Sequence, residues 1–193
     1  MFQVRQAIHA STPKLHRRGV TLIELMTVLA LLSILGALAA PSFSALAQRY
    51  KADLAASQMV ASLHLARVEA IKRGGGVIVS RLEDPACPKP ESVQDWSCGW
   101  RVIADLNGNG RFDAATDAVI QSVHLNDGTA VMRSQTQKGS DVFVVNRWGQ
   151  LGGVNLGFTF TPPNNRIEST FQVCSATGGR VRKVSWEVAC PGR

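Results

Sequence analysis

One carboxylate lies inside a long apolar segment near the start of this chain. The segment runs from Val20 to Ala40, and Glu24 is its only ionisable residue. As a helix, these 21 residues span about 31 Å, which is enough to cross the hydrocarbon core of a bilayer. A charge at that depth costs roughly 2.5 to 3.5 kcal/mol, so we expect the acid to have a function and a charged partner. The segment predicts a membrane helix over residues 20–41.

Two simpler explanations of the same segment stay open. A secretory signal peptide would have an apolar region of about 7 to 15 residues and a small-residue cleavage site, which Ala45-Leu46-Ala47 offers. A plain single-pass anchor would explain the length of the segment and the basic residues before it. The signal peptide leaves the length of the apolar run unexplained. Neither a signal peptide nor a plain anchor explains Glu24 together with the glycine at position 19.

The positive charge of the chain is concentrated before the apolar segment. The formal net charge is +7, and Arg5, Lys14, Arg17 and Arg18 supply four of the 21 basic residues. Residues 20–193 keep 17 basic against 14 acidic residues, a balance of +3. Basic residues before a membrane helix keep that end in the cytoplasm and send the rest of the chain outward. A nucleic-acid site would therefore need a local basic cluster.

All four cysteines follow the apolar segment and would face an oxidising compartment, where disulfides are favoured. No pair has C-x-x-C spacing, and no nearby histidines complete a zinc set. Of the three possible connectivities, we favour the one whose two bonds close short local loops, Cys87 with Cys98 and Cys174 with Cys190. Loops of about 10 to 20 residues each gain about 3 kcal/mol from a lower entropy of the unfolded chain.

One long helix is predicted from Val20 to the glycines at 74–76, because no helix stop other than Pro41 lies between them. Pro41 lacks the backbone donor that a helix interior needs and should kink the helix rather than end it. Beyond Pro41, the spacing predicts an apolar stripe that packs on a domain core, while charged residues face water. The stripe contains Leu46, Tyr50, Leu54, Ala61, Leu65 and Val68, and the charged set contains Arg49, Lys51, Asp53, Arg67 and Lys72.

Residues 76–193 consist of short β-branched and aromatic segments between turn residues, which is typical of antiparallel strands. The predicted strands are Gly76–Leu82, Gly99–Leu106, Ala118–Leu125, Thr129–Ser134, Asp141–Asn146, Leu156–Thr161, Ser169–Ser175 and Arg180–Val188. The predicted fold class is α+β, a long N-terminal helix packed on an antiparallel β-sheet domain. The predicted divisions are a leader over 1–19, a membrane helix over 20–41, an amphipathic half-helix over 42–75 and a β domain over 76–193.

The stretch Arg17-Arg18-Gly19-Val20-Thr21-Leu22-Ile23-Glu24-Leu25 resembles a type IV prepilin processing site. Three further segments make the whole chain similar to the GspH/FimT family of minor pilins and pseudopilins. They are Trp100–Ile103 before an Asn-Gly turn, Phe143–Gly149, and Phe171–Cys174 before a basic hairpin. The resemblance implies the type IV pilin-like version of the fold predicted above.

The resemblance also implies how the chain is processed and used. A prepilin peptidase would cleave between Gly19 and Val20, Val20 would be N-methylated, and the new ammonium would pair with Glu24. The chain would be a structural subunit in the inner membrane, with its C-terminal domain in the periplasm. It would join other minor pilins or pseudopilins at the tip of a type IV pilus or of a type II secretion pseudopilus and help to initiate that filament.

A polar loop has the alternating oxygen spacing of a calcium-binding loop, with Gly110 at the sharp turn. Its candidate ligands are Asp105, Asn107, Asn109 and Asp113. The twelfth position, where such a loop carries a bidentate acid, is Thr116. The alternative is a polar β-hairpin turn, for which Asn-Gly is a strong signal. Calcium is the only cofactor that the sequence suggests.

The densest basic cluster outside the leader is Gly179-Arg180-Val181-Arg182-Lys183. Residues at i and i+2 share one face of a strand, so Arg180 and Arg182 would suit contact with successive phosphates. The pattern resembles a Gly-Arg-x-Arg element that lets some FimT-like minor pilins bind DNA. It implies an alternative function as a DNA receptor in natural transformation, with Arg180, Arg182 and Lys183 as candidates. An ordinary solvent-facing strand, or a contact at Gly192-Arg193, stays open.

No catalytic arrangement is visible in the sequence. The serines are scattered, and neither Gly-x-Ser-x-Gly nor His-Glu-x-x-His occurs. The glycines at 74–76 end a predicted helix instead of beginning one, so they do not form a phosphate-binding loop. The chain is predicted not to be an enzyme.

Overall fold

The computed structural model describes residues 19–83, 85, 87, 92–134, 141–152, 156–176, 179–188 and 190, with the backbone alone at 39–41. The predicted leader up to residue 18 and the chain end at 191–193 lie outside the described residues. Two compact units are present, residues 1–41 and 42–193.

The helix and strands follow the predicted order. Helix α1 spans Leu22–Arg73, and the strands are β1 Val77–Arg81, β2 Gly99–Ala104, β3 Ala118–His124, β4 Ala130–Arg133, β5 Val142–Val145, β6 Gly157–Thr161, β7 Phe171–Ser175 and β8 Val181–Ser185, with a 3-10 turn at Ile167–Ser169. Each strand lies within one of the eight predicted segments. The prediction of a long helix followed by an antiparallel β domain is confirmed.

The β domain contains two four-stranded antiparallel sheets. The first has the strand order β3-β2-β1-β5 and the second β4-β6-β7-β8. One hydrophobic core joins both sheets to α1, and its largest side chains are Trp96, Trp100, Phe158 and Phe160, all buried. Trp96 meets Phe158 edge to face, with ring centroids 5.1 Å apart. The chain therefore closes its core between two sheets and one helix face.

The first unit contains the apolar part of α1. Its large side chains are exposed over their whole run, with Leu22 at 77% and Leu38 at 72%. Within the described residues, no single helix has the length and apolar character to cross a membrane by itself. Leu22–Leu38 and Ser42–Arg73 meet that test only together, as a broken pair. The membrane helix over 20–41 stays a prediction.

The predicted buried stripe on the second part of α1 is wrong. Leu46, Tyr50 and Val68 are 63%, 66% and 60% exposed, and Leu54 and Ala61 are exposed as well. The buried face consists mainly of small residues: Ala52, Ala55, Ala56, Met59, Ser62, Leu63, Ala66 and Ala70. Small side chains let the helix backbone approach the sheets closely, so side-chain size rather than hydrophobicity selects the face that packs.

Two charged residues predicted to face water instead connect α1 to the second sheet. Asp53 accepts a hydrogen bond from Lys183 Nζ at 2.6 Å, and Arg67 Nη1 donates to the carbonyl of Gly179 at 2.7 Å. Gly149 also lies against this helix, where a Cβ would come within 2.6 Å of Arg67 Cγ at a φ of +72°. Only glycine fits there without strain.

Candidate functional site

The predicted processing site lies immediately before α1. Gly19 and Val20 have no regular secondary structure, Val20 is 72% exposed, and the helix begins at Leu22. The bond between Gly19 and Val20 is therefore outside the hydrogen-bonded helix. Glu24 lies in the first turn with an exposed side chain, where a carboxylate interacts favourably with the positive end of the helix dipole.

Thr21 caps the helix, a role that the sequence analysis missed. Its Oγ1 accepts a hydrogen bond from the backbone N–H of Glu24 at 3.3 Å, and its carbonyl accepts from Leu25 N–H at 3.1 Å. The Thr-x-x-Glu spacing is a capping-box signature, which would have identified Thr21. Glu24 therefore occupies the third helical position, the place that glutamate or glutamine takes in such a cap.

A buried polar chain fixes α1 against the first sheet. Trp100 Nε1 donates to Ser62 Oγ at 2.9 Å, and Ser62 Oγ donates to Gln121 Oε1 at 2.7 Å. Ser62 is fully buried among alanines of the helix, so its hydroxyl needs both partners. Nothing in the local sequence around Ser62 signals this contact.

The predicted basic cluster divides between two faces of β8. Val181 packs against the core, so strand alternation places Lys183 on the same inner side and Arg180 and Arg182 on the other. Lys183 Nζ donates to Asp53 Oδ1 at 2.6 Å and to Ser57 Oγ at 2.9 Å. Lys183 therefore connects the strand to α1, and it lies on the other side of β8 from the two arginines.

Arg180 and Arg182 are exposed. Within the part of the chain that the structure describes, neither forms a salt bridge. The structure therefore brings together two of the three predicted DNA-binding residues, on the outer side of the last strand.

The cysteines form the two local disulfides that the loop lengths predict. Cys87 is joined to Cys98, and Cys174 to Cys190. The second bond ties β7, which contains Cys174, to the segment after β8, which contains Cys190. The first bond therefore closes the connection between β1 and β2, and the second closes the segment after β8.

The predicted calcium loop uses its side-chain oxygens to hold its own backbone. Asp105 Oδ1 and Oδ2 accept from the N–H groups of Gly108 and Gly110, both at 2.8 Å. Asn107 and Asn109 accept from backbone N–H groups two residues further on, and Asp113 does the same with Ala115 N–H. Over the described residues, no group of three or more His, Cys, Asp or Glu side chains could hold a metal ion. Calcium thus finds no support, and these contacts are those of a polar turn.

Comparisons of the sequence and of the fold with known proteins both find pilin-like proteins similar to this chain. The family described as Type II transport protein GspH matches residues 55–187, and the Prokaryotic N-terminal methylation motif matches residues 14–40. The pilin-like protein PilA1 of Thermus thermophilus is 30% identical over 172 residues, which cover 87% of this chain and 92% of that protein.

Two crystal structures of the type IV minor pilin FimU of Pseudomonas aeruginosa have similar folds. One is 15% identical with a TM-score of 0.55 and covers 74% of this chain and 95% of that chain. The other is 16% identical with a TM-score of 0.53 and covers 72% of this chain and 97% of that chain. The predicted resemblance is confirmed, and the chain belongs to the GspH family of minor pilins and pseudopilins, which are structural proteins and not enzymes.

Proposed function

We propose that this chain is a subunit at the tip of a type IV pilus or of a type II secretion pseudopilus, where it helps to initiate filament assembly. A prepilin peptidase cleaves the inner-membrane precursor between Gly19 and Val20, and Val20 is then N-methylated. The mature helix leaves the membrane and packs against the helices of other subunits. The family assignment and the N-terminal methylation motif support this proposal.

The observation that carries the proposal is an apolar face of α1 that the β domain leaves uncovered. At 3.6 residues per turn, its members share one side of the helix, opposite the buried alanines. We call it the outer stripe: Phe43, Leu46, Tyr50, Leu54, Ala61, Val68 and Ile71, all exposed. Large apolar side chains that cluster on the surface of a folded domain mark an interaction site. Helices of neighbouring subunits would cover it in a filament.

Glu24 supplies the polar part of the same interaction. Its carboxylate would become buried among apolar helices during assembly, and a buried charge needs a charged partner. Cleavage after Gly19 creates that partner, the ammonium of Val20, on the same chain or on a neighbouring subunit. The cap formed by Thr21 holds Glu24 in the first helical turn.

Labelling of intact filaments tests the tip position. An epitope-tagged chain should place immunogold particles at filament ends, and deletion of the gene should lower filament number with little change in filament length. Loss of pili would identify the type IV pilus, and loss of secreted enzymes with normal pili would identify the type II system. Labelling along the whole filament, or no labelling, would contradict the tip position.

Replacement of Gly19 tests the processing step separately. The residue before the cleaved bond has no side chain, so Gly19→Trp should leave the precursor uncut, whereas Ser11→Trp in the leader serves as a matched control and should be cleaved. Immunoblotting distinguishes the two forms by size. Normal cleavage of Gly19→Trp would contradict the assigned processing site.

A DNA receptor is the second candidate function, and the exposed pair Arg180 and Arg182 favours it. The pair lies on one face of the chain near β8, at a spacing that suits phosphates. Contacts to phosphate carry no sequence information, so this pair would bind DNA independently of sequence.

The salt dependence of DNA binding by the full-length chain in detergent tests this second function. Each phosphate contact contributes about 0.9 to the slope of log affinity against log salt on duplex DNA. Arg180→Ala/Arg182→Ala should lower that slope by nearly two units, whereas Lys183→Ala should leave it unchanged. No mobility shift at low salt would exclude this function, and an unchanged slope in the double variant would move the contact to Arg193 and the chain end.

A further inference from the structure

A tryptophan is exposed on the turn that follows β5. Trp148 is 70% exposed, whereas Trp96 and Trp100 are buried in the core and Trp186 is half-buried. An indole is a large apolar group with a single polar atom, and folded proteins cover most of it on average. The turn therefore displays an apolar side chain that the domain itself leaves uncovered.

Hydrogen bonds fix the backbone of this turn. Asn146 Oδ1 accepts from Trp148 N–H at 3.0 Å and from Gln150 N–H at 2.9 Å. The carbonyl of Asn146 accepts from Gly149 N–H at 2.8 Å, and Asn146 Nδ2 donates to Gln150 Oε1 at 2.7 Å. The position of Trp148 on the domain is therefore set before any partner binds, which lowers the entropic cost of binding there.

The residue before Trp148 is an arginine that contacts the indole. Arg147 Cζ lies 5.5 Å from the centroid of the Trp148 ring, which is a cation–π distance. Arg147 is exposed and, among the residues that the structure describes, forms no salt bridge. Tryptophan and arginine are among the residue types most enriched at the energetic centres of protein interfaces. The pair thus offers an apolar plane and a positive charge to one partner.

The turn lies at the C-terminal end of the outer stripe. Gly149 packs against α1, where a Cβ would come within 3.0 Å of Ile71 Cδ1. Ile71 is the last member of the outer stripe, and it is exposed, as is Val68 one turn earlier. The uncovered side of the helix therefore meets the β domain at the residue next to Trp148. A neighbouring subunit that covers Ile71 also comes within reach of this turn.

We infer that the Trp148 turn is a second contact of the interface formed by the outer stripe. The indole enters an apolar depression on the adjacent filament subunit, and a carboxylate of that subunit pairs with Arg147. The inference rests on the proposed function, because the position beside Ile71 identifies the partner as the subunit that covers the stripe. A polynucleotide fits less well, since phosphates set against Val68 and Ile71 would lose water without gaining a hydrogen-bond donor.

Photocrosslinking in cells that assemble filaments tests the contact directly. The photoreactive residue p-benzoylphenylalanine replaces Trp148, and it replaces the exposed Ile167 as a matched control. Mass spectrometry identifies the products, and immunoblotting of sheared filaments shows whether each chain is incorporated. Position 148 should crosslink to a different filament subunit, and position 167 should give little or no such product.

The outcomes separate this inference from the proposed function. A chain that is present in filaments but gives no crosslink from position 148 would overturn the inference and leave the function standing. A crosslink to a second copy of this chain, or to a protein outside the filament, would also overturn the inference. Absence of the chain from filaments would contradict the proposed function and, with it, the inference.

Variants show whether the contact contributes to assembly. Trp148→Ala should lower incorporation into filaments about tenfold or more, as at other interface hot spots, with little change in the unfolding temperature of the solubilised chain. Ile167→Ala is the control and should leave incorporation unchanged. Arg147→Glu should lower incorporation more than Arg147→Gln, because it places like charges together. Normal incorporation of Trp148→Ala, or a loss that follows a lower unfolding temperature, would overturn the inference.

Discussion

The two faces of α1 over Ser42–Arg73 differ in both composition and environment. The face against the sheets carries Ala52, Ala56, Ala66 and Ala70, each fully buried. The opposite face is the outer stripe, whose larger members, such as Tyr50, are mostly exposed. The face with more large apolar side chains is thus the one left in solvent.

This difference indicates that one face packs within the domain and that the other is available for packing between subunits. Inside the domain, alanines allow close approach of the helix to the sheets, and Trp100 and the phenylalanines of the second sheet supply the volume. Outside it, large apolar side chains remain about half exposed or more in the unit. The free energy of burying their remaining surface therefore becomes available only on association. One face stabilises the subunit, and in the proposed filament the other would stabilise the assembly.

The largest expected effect on assembly comes from a substitution in the first turn of the helix, which precedes the two faces. Glu24→Gln keeps the group size and the capping position but removes the charge. Loss of one partner from a buried ion pair costs about 3 to 5 kcal/mol, so incorporation into filaments should fall a hundredfold or more while cleavage stays normal. Quantitative immunoblotting of sheared filaments measures this. Normal incorporation of Glu24→Gln would assign Glu24 to helix capping alone.

Overpacking the inner face should have the next largest effect. Ala56→Leu inserts a large side chain where Ala56 is fully buried, and such changes cost about 1 to 3 kcal/mol. Ala61→Leu makes the same change on the outer stripe and should leave the free energy of unfolding nearly unchanged. Denaturant titration of both variants in detergent makes the comparison. Equal destabilisation would show that the two faces do not differ in this way.

Truncation of the outer stripe should give the converse result. Leu54→Ala removes apolar surface that other subunits would cover in the filament, so incorporation should fall about tenfold, which corresponds to about 1.4 kcal/mol. The unfolding temperature of the Leu54→Ala monomer should fall only slightly, because nearly half of Leu54 is exposed in the monomer (46%). Loss of monomer stability without loss of incorporation would reverse the assignment of the faces.

The smallest expected effect is at the ion pair between α1 and β8. Lys183 and Asp53 are 33% and 37% exposed, and partly exposed pairs contribute only about 0.2 to 1 kcal/mol. Lys183→Ala should therefore destabilise the domain slightly, and less so at high salt. Arg182→Ala, on the outer side of the same strand, is the control and should have no effect on unfolding.

The sequence predicts most of the fold but only part of the site. Turn residues and strand alternation are local signals, and they predict all eight strands. The short loops between the cysteines are also local, and they predict both disulfides. The packed face of α1 does not, because the periodicity reveals that Tyr50 and Leu54 share a side without revealing whether another subunit or the domain covers it. The contacts of Lys183 with Asp53 and of Arg101 with Phe112 could not be predicted either, because tertiary packing determines both pairs.

The central claim is that other subunits cover the outer stripe in the filament. All four native cysteines are in disulfides, so Leu54→Cys adds a single reactive thiol, and Glu168→Cys on an exposed turn adds one as a control. Maleimide labelling is measured on the detergent-solubilised subunit and on sheared filaments. The account predicts that position 54 is labelled rapidly in the solubilised subunit and at least tenfold more slowly in filaments, while position 168 stays reactive in both. Equal labelling of position 54 in the two states would contradict it.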